Sequence, residues 1–185
     1  MSGPRLGHEE RALPDVLPGA GDPALRVLFC GINPGLMSAA TGHHFARPGN
    51  RFWPALHGSG FTPRRLEPAE QVLLPALGLG ITNVADRPTA RADQLASAEL
   101  VDGGTRLRAV VQRLRPAWLA VVGVTAYRVA FADPAAVVGR QVTTLGDTRI
   151  WVLPNPSGLN AHWTLPAIIE QFAQLRAAAE AGAVR

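Results

Sequence analysis

The chain has 185 residues, 47% of them apolar and 17% charged, which fits one folded domain and excludes a disordered chain. Its single cysteine, Cys30, excludes internal disulfides and cysteine-ligated zinc or iron–sulfur sites. All 18 basic residues are arginines, which excludes a Walker P-loop and a lysine Schiff base. The formal charge of +4 reflects either codon usage or an anionic partner such as a nucleic acid.

The N-terminal residues 1–24 are punctuated by prolines and glycines and show no hydrophobic periodicity. They predict a flexible tail ahead of one domain over residues 25–185. Charged residues at 9–11 occupy the place where a signal peptide needs an apolar core, and the apolar runs are too short to span a membrane. We therefore expect no membrane partner and a place in the cytoplasm, associated with the nucleoid in a bacterium. A monomer is a separate expectation.

The rest of the chain alternates short apolar runs with helical stretches. Strands are predicted at residues 26–32, 80–85, 118–122 and 148–153, and helices at 52–58, 68–77, 102–114, 125–132 and 165–181. This alternation predicts an α/β domain with a short, mainly parallel sheet. Ligands of such sheets lie beyond the carboxyl ends of the strands, so functional residues are expected in the loops 33–51, 86–93 and 154–163.

The first of these loops begins with Asn33 between a strand and Pro34. The proline holds Asn33 extended, and Gly35 permits a tight turn. One neutral amide is thereby presented beside backbone N–H groups, which can bind an anion or a carbonyl-rich ring. The alternative is a loop shaped only for the fold.

The same loop continues with aromatic and cationic residues up to Trp53. Phe45 lies in the loop itself and is the candidate for stacking on a base, whereas Phe52 and Trp53 are expected on the buried face of the next helix. His43 and His44 have no acidic or histidine partner at helical spacing, so neither a metal site nor a cofactor is expected.

The last loop again places an asparagine, Asn155, before a proline at a strand end. Leu159 then stands alone in a polar stretch. An apolar side chain on a loop tip is typical of proteins that wedge DNA base steps apart, although Leu159 can equally tuck under the final helix.

Together, residues 31–35 (GINPG) and 155–159 (NPSGL) resemble the two motifs of the mismatch-specific uracil-DNA glycosylase family, which includes the thymine-DNA glycosylases. Residues 29–53 and 86–89 (DRPT) are also similar to it, and the resemblance covers about residues 25–178. It implies a single three-layer α/β/α domain. It also implies a monofunctional enzyme that flips uracil, or a related damaged base, from opposite guanine in double-stranded DNA and hydrolyses its N-glycosidic bond.

The resemblance also implies roles for individual residues. Asn33 would position the attacking water, and Phe45 would stack on the flipped base. Backbone amides near Ile32 and Phe45 would read the base edge, with Ser38 and Asn155 also at the base. Contacts to the DNA helix are implied for Gly158, Leu159 and Asn160, with Leu159 as the wedge. Two features depart from the family pattern: Met37 replaces a small or polar residue, and no arginine follows the wedge.

An asparagine is not basic, so a carboxylate would help to stabilise a cationic sugar. Asp93 is the candidate for this second catalytic residue, and its alternative is an N-cap for a helix over 95–100. Asp86 stands beside Arg87, which suggests a structural ion pair. Two other functions remain open: a hydrolase of free nucleosides or nucleotides, and a DNA-binding module without catalysis.

Overall fold

The domain is built on one five-stranded sheet, seen in a computed structural model that describes residues 13–182. The strands are β1 (Val27–Gly31), β2 (Leu79–Asn83), β3 (Trp118–Val122), β4 (Gly139–Leu145) and β5 (Thr148–Leu153). Their order across the sheet is β2-β1-β3-β5-β4, with β4 antiparallel to β5 and all other neighbours parallel. The prediction of a mainly parallel sheet is confirmed.

Helices cover both faces of this sheet. They are α1 (Leu36–Thr41), α2 (Phe52–Gly58), α3 (Ser97–Leu114), α4 (Val124–Ala130) and α5 (Leu165–Ala181), with 3₁₀ turns at Pro68–Leu73, Pro75–Leu77 and Ala92–Gln94. Helices α2 and α5 pack together on one face, and α3 packs with α4 on the other. The result is the three-layer α/β/α arrangement. Within residues 13–182, no helix has the length and apolar character needed to cross a bilayer.

Alternate residues of each strand serve the two halves of the core. In β1, Val27 and Phe29 face the α2–α5 side, whereas Leu28 and Cys30 face the α3–α4 side, and all four are fully buried. A strand buried on both faces must be apolar throughout, which is why the parallel strands were visible in the sequence. Phe52 and Trp53 lie in the core as expected.

Several elements differ from the sequence expectations. Strand β4 and helix α1 were not predicted, and residues 68–77 form 3₁₀ turns instead of one helix. Helix α3 starts at Ser97, five residues earlier than predicted. Its N-cap is Ala96, so the interpretation of Asp93 as a helix cap is wrong.

The predicted N-terminal tail is attached to the sheet along its described part. Val16 and Ile81 exchange two backbone hydrogen bonds of 2.8 Å, and the side chains of Leu13 and Val16 are buried. Residues 1–12 lie outside the described residues. The segment from residue 13 onward is therefore part of the domain, because it covers the free edge of β2.

Candidate active site

A cavity of about 620 Å³ opens at the carboxyl edge of the parallel strands. Its walls come from the loops that follow β1, β2 and β5, which is where a parallel sheet places its ligands. The structure brings together at this cavity the side chains that the sequence singled out: Ile32, Asn33, Ser38, Phe45, Asp93, Asn155, Leu159 and Asn160.

The amide of Asn33 is held in one orientation. Its Nδ2 donates to the carbonyl oxygen of Arg87 at 2.7 Å and to Thr89 Oγ1 at 2.8 Å. Because the carbonyl oxygen of Arg87 can only accept a hydrogen bond, the nitrogen of the Asn33 amide, and not its oxygen, must face the loop 86–93. Both N–H groups are thereby used, and Oδ1 is left to accept a hydrogen bond from a molecule in the cavity.

Thr89 is a residue whose role the sequence did not reveal. Its side chain is buried, and its hydroxyl accepts from Asn33 while donating to the carbonyl of Arg91 at 2.8 Å. Its backbone N–H donates to the carbonyl of Pro34 at 3.1 Å. Thr89 therefore joins the first two predicted loops and fixes the catalytic candidate between them. The sequence indicated the loop 86–93 by its place after a strand and by the resemblance of residues 86–89, but neither observation singled out Thr89.

Phe45 presents an aromatic ring to the cavity from a strained backbone. Its φ is 53°, in the left-handed region that non-glycine residues rarely adopt. The ring stacks on Phe52 with 4.0 Å between centroids, so one face is supported by the core. Strain of this kind persists where the surroundings over-determine it, and it is common at ligand sites.

His44 supplies much of that constraint. Its backbone N–H donates to Gln71 Oε1 at 2.8 Å, and its carbonyl accepts from Trp53 Nε1 at 3.1 Å. The ring Nε2 donates to the carbonyl of Pro14 at 2.8 Å, so that nitrogen carries the proton. Burial lowers the pKa of His44 below its usual value, against the opposing effect of the Pro14 bond. This neutral imidazole belongs to the structural support of Phe45 and not to a metal site.

Asn83, at the end of β2, is a second cavity residue that the sequence reasoning missed. It lines the cavity, and its Nδ2 approaches the unprotonated Nδ1 of His44 at 3.5 Å. A side-chain amide carries donors and an acceptor together, which suits the edge of a pyrimidine ring. The signal available in the sequence was its position as an asparagine at the end of a buried strand; in the structure that strand pairs with β1, which leads to Asn33.

The loop 154–163, called here the Leu159 loop, is closed by its own side chains. Asn155 Oδ1 accepts from the Ser157 N–H at 3.0 Å, and Asn160 Nδ2 donates to the Asn155 carbonyl at 3.0 Å. Asn155 Nδ2 is left as a donor at the cavity wall. Asn155 and Asn33 thus face one cavity with opposite hydrogen-bonding character.

Leu159 is exposed at the tip of this loop. Its relative exposure is 57%, so the alternative in which it tucks under α5 is wrong. Gly158 beside it is also exposed, and a Cβ there would lie 2.9 Å from the carbonyl oxygen of Gly49. The loop can therefore approach residue 49 only with a glycine at this position.

Asp93 lies at the cavity wall within the 3₁₀ turn Ala92–Gln94. Both carboxylate oxygens accept from the Arg91 guanidinium, at 3.1 and 2.8 Å, and both side chains are 65% exposed. The Asp93 carboxylate therefore lies at the cavity wall with both oxygens already accepting hydrogen bonds. Asp86 lies 3.4 Å from Arg106, while Arg87 binds Glu99 at 2.7 Å.

The charged groups around the cavity do not form a metal centre. Across residues 13–182, no three histidine, cysteine or acidic side chains converge in a way that would hold an ion. The cavity wall does carry the neutral amides of Asn33, Asn83 and Asn155 and the aromatic ring of Phe45. Such a set recognises a planar, hydrogen-bonding ring.

The comparison with known families agrees with this geometry. A family model described as the uracil DNA glycosylase superfamily matches residues 18–180, which is nearly the whole chain and includes every element of the sheet. The match covers both asparagine–proline loops and the segment that fixes Asn33. The chain therefore belongs to the uracil DNA glycosylase superfamily, whose members are DNA glycosylases that act on uracil.

Proposed function

We propose that the protein belongs to the mismatch-specific branch of this superfamily and excises uracil from opposite guanine in duplex DNA. One observation carries the proposal: the Asn33 amide is held with its oxygen available at the cavity, in a chain that also carries the second motif at residues 155–159. A water that donates a hydrogen bond to Asn33 Oδ1 is thereby oriented toward the sugar carbon of a base held in the cavity.

In this mechanism the water oxygen forms a bond to C1′ of the deoxyribose as the bond from C1′ to N1 of uracil breaks. The bonding electrons leave with the base, and the sugar passes through a cation-like state. Uracil departs as an anion that takes up a proton from solvent, while the attacking water loses one. Asn33 orients the water and does not remove its proton.

Charges that develop in this reaction meet complementary groups. The leaving anion is stabilised by fixed hydrogen-bond donors, and the side-chain amide nitrogens of Asn155 and Asn83 supply them. The positive charge on the sugar is stabilised by Asp93, whose carboxylate we assign an electrostatic role because Arg91 occupies both of its oxygens.

Base recognition follows from the cavity walls. The side chain of Phe45 stacks on the flipped base. The backbone at Ile32 and Phe45 and the region of Ser38 contact the edge of that base. The N–H of Phe45 has no acceptor in the described part of the chain, and Ser38 Oγ fixes the adjacent Ala46 N–H at 3.2 Å. This arrangement leaves the Phe45 N–H free to donate to a base carbonyl.

Preference for duplex DNA follows from the exposed loop tip. A base must leave the stack before its glycosidic bond can be reached, and a mispaired base costs less to extrude. Leu159 fills the space that the base leaves, and the backbone at Gly158 and Asn160 contacts the guanine opposite. The chain is monofunctional in this proposal, because it has no lysine for a Schiff base with the abasic sugar.

The function is tested with oligonucleotides that carry one uracil, as a G·U duplex, as a single strand and as the free nucleoside. After incubation in EDTA, abasic sites are cleaved with alkali. We expect strand cleavage that is fastest for the G·U duplex and is unaffected by EDTA. Release from the nucleoside without release from DNA would overturn the proposal in favour of a nucleoside hydrolase, and duplex binding without release would favour a binding module.

A further inference from the structure

Arg51 makes an unusual set of contacts with the Leu159 loop. It precedes α2 and is half-buried, and its Nη2 donates to the carbonyls of Ser157 at 2.6 Å and Asn160 at 2.8 Å. Nη1 donates to the carbonyl of Trp163, and Nε to that of Pro156 at 3.4 Å. The backbone N–H of Arg51 also donates to Pro156 at 2.9 Å. One residue therefore binds four carbonyls along eight residues of the loop.

These contacts account for the shape of the loop. Carbonyl oxygens that point at one place repel each other, and the guanidinium offsets that repulsion with several N–H groups in a fixed fork. No carboxylate of residues 13–182 shares the Arg51 guanidinium. The hydrogen bonds of the Arg51 guanidinium thus go to backbone carbonyls, which surround it as they would a cation bound at the centre of a loop.

We propose that Arg51 is a positioning residue that holds the Leu159 loop in its inserting shape before DNA binds. The inference rests on the proposed function, because it is the wedge role of Leu159 that gives this shape a purpose. A loop that is ordered in advance does not lose conformational freedom on binding, so more of the contact energy remains for separating the bases. Arg51 touches neither the base nor the water in this scheme and acts through Leu159.

Lysine is the informative substitution at this position. Arg51→Lys keeps the positive charge, but its ammonium is a single point with three donors and cannot reach four carbonyls in the geometry of the fork. Any attraction between residue 51 and DNA that depends only on positive charge is therefore retained in Arg51→Lys. The matched control is Arg176→Lys, because Arg176 also donates to a backbone carbonyl, that of Ser59 at 3.2 Å, but lies on α5 away from the loop.

The test combines two measurements on the full chain. Hydrogen exchange of the peptide spanning residues 154–163 is expected to accelerate in Arg51→Lys and to stay unchanged in Arg176→Lys. Single-turnover cleavage of the G·U duplex is expected to fall by about tenfold, the worth of one charge-assisted hydrogen bond, while cleavage of single-stranded uracil is retained. Adding Leu159→Ala to Arg51→Lys should cause little further loss, because both changes remove the same wedge.

Three results would overturn the inference: unchanged loop exchange, equal losses on duplex and single strand, or independent, multiplicative losses in the double variant. If Arg51→Lys melts near the assay temperature, both measurements are made at a temperature where circular dichroism shows it folded, and the same faster exchange and duplex-selective loss are expected there. A wild-type protein that cleaves no DNA would refute the proposed function, whereas the exchange result alone decides whether Arg51 holds the loop.

Discussion

A neutral amide can direct a water molecule only if its own orientation is fixed, and that condition is met at Asn33 by groups 54 and 56 residues further along the chain. The sequence indicated Asn33 because a proline follows it at a strand end. It could not indicate Thr89, because a threonine in a polar loop has no periodicity and its role exists only once two loops meet. Asn83 differs, because its place at the end of a buried strand was visible in the sequence, but the pairing of β2 with β1 that brings it to the cavity was not.

The contribution of this orientation can be measured at Asn33 and Thr89. We expect Asn33→Ala to lower single-turnover cleavage by about 10²–10⁴-fold, the range for such a group, with duplex affinity little changed. Thr89→Val removes the acceptor for Asn33 and should cause a smaller loss, whereas Thr89→Ser should restore activity. A Thr89→Ser variant as slow as Thr89→Val would show that the hydroxyl does not orient Asn33.

The buried imidazole of His44 predicts a dependence of stability on pH. Because burial lowers its pKa in the folded state, the unfolded chain binds a proton first as the pH falls. The free energy of unfolding should therefore decrease as the pH falls through the ordinary histidine range, by up to about 1.4 kcal/mol for each unit by which the pKa is lowered. Above that range the effect is absent, since His44 is neutral in both states.

Urea unfolding at pH 7 and pH 5 measures this contribution. His44→Gln should lose less stability on acidification than the wild-type protein, because glutamine does not titrate, while His43→Gln should behave like the wild type. The carboxylates of Glu70 and Glu99, whose pKa values are held at about 2 by hydrogen bonds from Arg64 and Arg87, stay ionised in the folded protein at both pH values. The stability that they contribute is lost mainly below pH 5, as the pH falls through the ordinary glutamate pKa. Equal losses in all three proteins would assign the pH dependence to other groups.

At the scale of elements, α3 contains two adjacent glycines where it crosses its neighbours. A Cβ on Gly104 would lie 2.3 Å from the carbonyl oxygen of Ala130, at the end of α4. Alanine favours a helix by about 1 kcal/mol over glycine, but forcing the two backbones apart costs about 1–3 kcal/mol or more. The glycine is therefore a requirement of helix packing, in spite of its poor helix propensity.

We expect Gly104→Ala to reduce the free energy of unfolding by about 1–2 kcal/mol, since overpacking against backbone outweighs the gain in propensity. Asp102→Ala, on the exposed side of the same turn, should change it by less than about 0.5 kcal/mol. Denaturant unfolding of both variants checks this. A stabilised Gly104→Ala would mean that α3 and α4 separate easily.

The elements that the sequence predicted are those with a continuous apolar run or helical periodicity, namely the four strands of the parallel part and the longer helices. Strand β4 was invisible because it is an exposed edge strand, with Val142 wholly exposed and a bulge between Arg140 and Thr144. Helix α1 has only six residues and follows a proline and a glycine that read as a loop. The formation of β4 depends on its contacts at the sheet edge, and that of α1 on its contacts beside the cavity.

At the scale of the whole molecule, the parallel sheet brings motifs more than 100 residues apart to one cavity. Strands β1 and β5 both neighbour β3, so the loops that begin at Asn33 and Asn155 leave the same edge of the sheet. The order of strands could not be read from the sequence, and therefore the sequence did not show that these loops meet. The resemblance to a family, carried by the two motifs, supplied that information.

The surface charge around this cavity predicts how the molecule meets DNA. Arg47 is exposed at the cavity wall, and its guanidinium has no acidic partner within residues 13–182, whereas Arg91 at the same wall is paired with Asp93. An unpaired guanidinium beside a site for a flipped nucleotide is placed to bind a backbone phosphate. Each such contact releases counterions, so it contributes to the salt dependence of binding.

We therefore expect Arg47→Gln to weaken duplex binding and to reduce the slope of log Kd against log salt by about 1, the value for one lost phosphate contact. Binding is measured by fluorescence anisotropy in an Asn33→Ala background, so that the uracil is not removed during titration. Arg65→Gln is the matched control, because Arg65 is exposed but lies outside the cavity wall. If the two substitutions reduce the slope equally, Arg47 contributes only to the general positive charge of the surface; a reduction confined to Arg47→Gln locates the DNA backbone at the mouth of the cavity.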